Sequence, residues 1–322
     1  QVLLIGVMNY YFGIGLSLFA LSAWVMLRDK PWPWRYGVST LFVVVLFFCH
    51  LVAAGIYGIG ILAFELSRLW ERRSEPLLPR LAEFCAGGLP FLAVVPLLLA
   101  SPTWGLSGQN HWEPQGKIEG IEWVISVYYD NVAFALTAVV VAAGLWAARH
   151  KLVGVHPLLV PLLIVGGAVY LAMPREAFAT YMADQRLPVA IAFMVLACIS
   201  IDLRGRLVQR GFVILLLLLL AVRVTEVQTV WDRLSRWSTD FSRSVELIKP
   251  GSRVLVAYAD VTGGEDVRDL GLVHAACLAM IEKSSLVSTA FTVKGKQILR
   301  VNKPYADWVD TEDGEPPQVE QL

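Results

Sequence analysis

Asn131–Ala148 reads NVAFALTAVVVAAGLWAA, an uncharged apolar run bounded by Asp130 and by Arg149-His150-Lys151. A helix must offer about 20 mostly apolar residues to cross a hydrocarbon core of ~30 Å. This run meets that need, and it decides the class of the fold. Six more segments approach the same standard: Val2–Leu27, Val38–Phe64, Leu81–Ala100, Pro157–Met173, Leu187–Ile201 and Gly211–Val222. The third carries Pro90 and Pro96 inside, which membrane helices tolerate where neighbours satisfy the freed backbone. The last is short, and Arg210 and Arg223 would snorkel to the two interfaces to let it span. The expected fold is mainly α: a polytopic membrane helix bundle of about seven transmembrane helices (residues 1–237), with a small C-terminal α/β domain.

Composition agrees. Of the 322 residues, 56% are hydrophobic and 17% charged, with mean hydropathy +0.58; soluble domains run near 25% charged. The formal net charge is zero, which points to no nucleic acid. Cys49, Cys85, Cys198 and Cys277 form no CxxC pair, and they read as small buried hydrophobes. His111, His150, His156 and His274 lack metal-ligand spacing. Neither metal nor cofactor is expected. The chain is inside an apolar run by Val2, so it is expected to continue a longer protein.

Lys and Arg in short loops set orientation. The loops after the second, fourth and sixth segments hold nine: Arg68, Arg72, Arg73, Arg80, Arg149, Lys151, Arg204, Arg206 and Arg210. The other loops hold six: Arg28, Lys30, Arg35, Lys117, Arg175 and Arg186. The bias makes the first set cytoplasmic and sends the C-terminal domain to the outer or periplasmic side of what reads as a bacterial inner membrane. Trp32, Trp34, Trp70, Trp104, Trp146 and Trp231 fall near helix ends, as interfacial anchors do.

Residues 243–310 form the soluble domain. Strand-like Arg253–Ala259 leads to a Gly263-Gly264 loop and a helix-spaced Leu270–Lys283. Strand-like Leu286–Val293 and Gln297–Val301 come next. Residues 311–322 are acidic and Pro-containing and read as a disordered tail.

The candidate site residues lie mostly in two outer segments. Residues 174–188 are short, polar and set between apolar runs. Phe178, Tyr181 and Met182 share helical spacing there, Arg175 and Arg186 suit an anionic headgroup, and Asp184 suits an arginine or a hydroxylated substrate. An interfacial turn with an Asp184–Arg186 pair is the plainer reading. The loop 101–130 carries aromatic and polar residues, Trp104, Gln109, Asn110, His111, Trp112, Glu113, Trp123, Tyr128 and Tyr129, a set that suits flat sugar faces or membrane anchoring. His50, inside the second segment, is either functional or an interhelical hydrogen-bonding group. Asn9, Tyr10 and Tyr11, followed by Gly13 and Gly15, suggest close packing round a polar spot. No Walker loop, GxGxxG, HExxH or GxSxG is present.

Four stretches, NYYFGIGL at residues 9–16, FFCHL at 47–51, ADQRLP at 183–188 and LIKPGSRVL at 247–255, resemble the C-terminal half of bacterial multi-pass proteins similar to the GT-C glycosyltransferase superfamily. That resemblance implies an enzyme taking a sugar from a polyprenyl-phosphate donor at the outer face, for envelope polysaccharide or lipid glycosylation. It implies Arg175 and Arg186 as donor-phosphate contacts. The superfamily's catalytic acid lies in a first external loop with no counterpart here, so no catalytic residue is carried over. A transporter or flippase of envelope precursors and a non-catalytic membrane scaffold stand as alternatives, and membrane lipid is the expected partner.

Overall fold

The structure, a computed structural model, describes residues 7–106, 110–177, 182–257, 275–290, 292 and 299–309. Six helices among these residues are long and apolar enough to cross a membrane, and the apolar helix Leu159–Ala172 is shorter. The protein is a helical integral membrane protein. Two compact units divide it, residues 2–126 with 130–214, and residues 127–129 with 215–322.

The first unit begins with α1 (Met8–Met26), α2 (Trp32–Cys49) and α3 (Leu51–Glu71). The expected single helix Val38–Phe64 is two helices, and this is the main correction to the fold. His50 is extended, with φ −168° and ψ 122°, and its Nδ1 accepts the Val52 N–H to cap α3. Side chains from the two sides of the break then meet. The Ser39 and Tyr57 hydroxyls lie 2.8 Å apart, and Arg35 Nη2 is 2.6 Å from Glu65 Oε1. The pair is an antiparallel hairpin folded at His50, each arm about 27–32 Å long at ~1.5 Å per residue.

Residues 77–100 divide into α4 (Leu77–Ala86), a 3₁₀ stretch (Leu89–Val94) and α5 (Val95–Ala100). Gly87-Gly88 loosens the first junction, while Pro90 and Pro96 each occupy an opening turn, where a missing N–H costs nothing. The long loop contains α6 (Gln115–Glu122). Then come α7 (Asp130–Arg149), β1 (Val153–Val155), α8 (Leu159–Ala172), α9 (Ala183–Ala197), β2 (Ile199–Ile201) and α10 (Arg206–Glu246). The expected Leu187–Ile201 helix thus starts four residues earlier and gives way to β2, which pairs antiparallel with β1, Val153 opposite Ile201. The expected Gly211–Val222 run lies in the N-terminal half of a 41-residue helix.

The first unit has two distinct ends. At one, Trp24 Nε1 and Arg35 both donate to Glu65, Arg68 and Arg72 pair with Glu83, and β1 meets β2. At the other, Tyr10, His50, α6 and the start of α9 gather. The hairpin moves Arg28, Lys30 and Arg35 to the first end. Twelve Lys and Arg (28, 30, 35, 68, 72, 73, 80, 149, 151, 204, 206 and 210) now stand there, against Lys117, Arg175 and Arg186 at the second.

In the second unit, the buried Glu226 accepts the N–H groups of Tyr128 and Tyr129 at 3.1 and 2.8 Å and pairs with Arg223 at 2.8 Å. Arg223 is therefore an ion-paired residue rather than a free interfacial cation. Val245, Ala276, Ala279 and Val287 form a small core. Over it β3 (Arg253–Val254) runs parallel to β4 (Leu286–Val287), with α11 (Leu278–Lys283) alongside. Helix α10 continues to Glu246, past the expected boundary at 237–243. Residues 299–301 of the expected strand Gln297–Val301 are irregular. Gly263-Gly264 and the tail 311–322 lie outside the described residues.

Candidate functional site

The second end of the first unit holds a polar cluster built by α6, α8 and α9. Helix α6 approaches closely because Gly116 and Gly120, one turn apart, face its neighbours. A Cβ on Gly116 would stand 2.6 Å from Arg175 Nη1; one on Gly120 would stand 2.5 Å from the Tyr170 hydroxyl and 3.2 Å from Gln185 Cα. Tyr170 then donates to the Lys117 carbonyl at 2.5 Å. Lys117 Nζ reaches Asp184 Oδ2 at 2.9 Å and also donates to the Met173 carbonyl. Arg175 lies between two carboxylates, Glu119 at 3.0 Å and Glu113 at 3.5 Å, and Gln185 Nε2 donates to Glu119 at 2.8 Å. Met182 precedes α9 in a left-handed conformation, φ 59°, which turns the chain so that Asp184 and Gln185 face inward. Both are fully buried. Asp184 Oδ1 and Gln185 Oε1 have no hydrogen-bond partner among the described residues.

Beside this cluster, three segments meet. The Tyr10 hydroxyl donates to the Arg186 carbonyl at 2.7 Å, and the Tyr10 and His50 rings lie 5.1 Å apart. The Arg186 charge acts on both. Because His50 Nδ1 accepts a backbone N–H, the neutral ring carries its proton on Nε2 and offers a donor. Asn9 and Cys49 exchange two longer contacts, Nδ2 to carbonyl at 3.5 Å and Sγ to carbonyl at 3.4 Å, which fasten α1 to the break.

The chain matches no family model, no curated protein and no solved structure, so the geometry of the site is the guide to its function.

Arg175 is 4% exposed and already neutralised by two carboxylates. It ties the long loop to the 174–188 segment and does not present itself to a headgroup. Asp184 pairs with Lys117, not with Arg186 as the plain turn reading had it. His111 joins through its backbone, in an antiparallel bridge to Glu176, and its side chain is exposed. Trp112 Nε1 donates to the Ala172 carbonyl at 3.2 Å. Tyr181 lies outside the described residues.

Sequence pattern did not single out Lys117, Glu119, Gln185, Tyr170 or the two glycines of α6 as members of a site; Glu113 it placed among the polar residues of the 101–130 loop. One available signal was the i, i+4 spacing of Gly116 and Gly120, which in a membrane protein marks close helix approach. No group of three or more His, Cys, Asp or Glu fit to hold a metal occurs among the described residues.

Proposed function

We propose that this protein is part of a membrane glycosyltransferase that handles a polyprenyl-phosphate-linked sugar at the outer face of the membrane. The observation that carries the reading is the meeting of Tyr10, His50 and Arg186, from α1, the α2–α3 break and α9, beside the buried Asp184–Lys117 pair. The His50 Nε2–H beside the Arg186 guanidinium suits a phosphate oxygen, while Tyr10, donating to the Arg186 carbonyl, holds α9 in place. The neighbouring loop 101–130 supplies exposed Trp112 as a face for a sugar ring. With Arg175 enclosed, Arg186 and His50 take over the phosphate role that Arg175 and Arg186 were expected to share.

The charge pattern supports the sidedness. Twelve basic residues against three is a strong positive-inside bias, so the basic end faces the cytoplasm and the polar cluster faces out. Helix α10 starts at the basic end and would carry the residues after it to the outer, periplasmic side of a bacterial inner membrane.

The test is binding of a short polyprenyl phosphate to the chain in nanodiscs, measured by native mass spectrometry. Arg186→Ala and His50→Ala weaken binding about tenfold or more each, the worth of a charge-assisted hydrogen bond, while Trp112→Ala weakens the sugar-bearing ligand alone. Retention of affinity in both Arg186→Ala and His50→Ala overturns the phosphate assignment. Tight binding with no sugar transfer would favour a transporter or scaffold.

A further inference from the structure

A second feature lies at the opposite, basic end of the first unit. Leu18, Leu21, Ser22, Val25 and Met26 of α1 face Leu158 and Leu162 of α8 and Met194, Ala197 and Cys198 of α9 across an open cavity of about 270 Å³. Its floor is apolar: Leu21, Leu158, Leu162 and Met194 are almost fully buried. The exposed polar residues of its lining are Ser22 and His156. His156 Nδ1 accepts the Leu158 N–H at 3.2 Å, which leaves its Nε2–H as an outward-facing donor in the neutral ring.

Three observations say what fills this groove. It is cut between helices of a membrane bundle, so its outer opening meets hydrocarbon rather than water. From Leu18 to Met26 it runs about 12 Å along α1 at ~1.5 Å per residue, close to the depth of one leaflet of a ~30 Å core. It ends at the basic end of the unit, which carries Arg28, Lys30, Lys151 and Arg204; Arg28 is paired with Asp29 and Arg204 with Asp202, and the excess of cations at that end complements an anionic headgroup. We infer that the groove holds one acyl chain of an anionic glycerophospholipid of the basic-side leaflet, its headgroup oxygens meeting Ser22, the His156 Nε2–H and the flanking cations. This site is separate from the polar cluster, and it stands or falls independently of the transferase reading.

The experiment uses the full chain in phosphatidylcholine nanodiscs doped with phosphatidylglycerol. A photoactivatable diazirine acyl chain is carried on phosphatidylglycerol in one sample and on phosphatidylcholine in another. Adducts are mapped by mass spectrometry. The expected result is severalfold more labelling at Val25, Met26, Met194 and Ala197 than at the exposed α7 residues Val140, Val141 and Leu145, and more from phosphatidylglycerol than from phosphatidylcholine. Ala197→Trp places a large ring on the exposed rim without disturbing the floor and removes the enrichment. Met26→Trp repeats the block from α1 should the first variant fold poorly. Equal labelling of groove and α7 overturns the site. Enriched labelling that is the same for both headgroups overturns the anionic specificity, and enrichment that survives both tryptophans shows that the label reports another surface.

Discussion

Two enclosed carboxylates behave in opposite ways. Glu65, 4% exposed, receives the Trp24 indole N–H at 2.9 Å, Arg35 at 2.6 Å and Arg68 at 3.5 Å, while the Arg35 guanidinium also stacks 3.8 Å from the Trp24 ring centroid. Three side chains converge on it, and the network joins α1, α2 and α3. Removing it strands Arg35, which is itself buried. Glu65→Ala should therefore destabilise the bundle by about 3–5 kcal/mol, read as a lower unfolding midpoint in detergent titration; a loss within about 1 kcal/mol would show that Arg35 finds water or lipid phosphate instead. Asp184 is as deeply enclosed, yet its Oδ2 meets Lys117 alone and its Oδ1 has no partner among the described residues. On the surface, Asp202 shows a third behaviour. The Arg204 guanidinium and N–H beside it hold its carboxyl down to about 2. A depressed acid stabilises the fold above its ordinary value near 4 and loses that contribution as pH falls through about 2. Both partners are solvent-facing, so screening leaves little of it. Carboxyl NMR should place the Asp202 midpoint near 2, with the thermal midpoint of Asp202→Asn unchanged at neutral pH.

At the level of elements, the close approach of α6 to α8 and α9 is the most exacting contact. Gly120→Ala sets a methyl against both a hydroxyl and a backbone Cα, and neither can retreat without moving a helix. The expected cost is about 1–3 kcal/mol from overpacking. Gly105→Ala, where a Cβ meets open space, should be nearly silent in the same thermal assay. A milder Gly120 result would mean α6 is loosely held. The elements also show what a sequence discloses. Asn131–Ala148 declares itself because length and apolarity alone determine a span. The fold at His50 does not, since FFCHL contains neither glycine nor proline and its turn is held by a side chain accepting a backbone N–H. Apolar residues on both sides of it read as one helix, and only contacts such as Ser39–Tyr57 reveal two. The polar cluster was half legible. The 174–188 segment is conspicuous between apolar runs, but the pairing of Lys117 with Asp184, 67 positions away, depends on a glycine face whose packing partner no local pattern names.

On the scale of the whole molecule, one revised turn resolves the charge asymmetry. Reading Val38–Phe64 as a single crossing leaves three cations on the wrong side, and folding it at His50 brings them over. A cysteine-free parent with single replacements tests this. Lys30→Cys, Lys151→Cys and Arg204→Cys should resist an impermeant maleimide in intact cells, while His111→Cys and Glu113→Cys react. Reaction at Lys30→Cys with protection at Lys151→Cys would restore the single crossing and undo the hairpin. The short pair α8 and α9 has a consequence for biogenesis. Their 14 and 15 residues reach only about 21–23 Å each, less than the hydrocarbon core, and α9 opens with Ala183-Asp184-Gln185-Arg186. Leaving a translocon singly, α9 would face lipid with a carboxylate and a guanidinium uncovered. Helix α8, which emerges first, must instead wait for α9, so that the two partition as a hairpin beside the Lys117 that emerged well before them and the Asp184 carboxylate is already matched. The order in which the ribosome delivers these segments is thus part of what makes the last two short crossings possible.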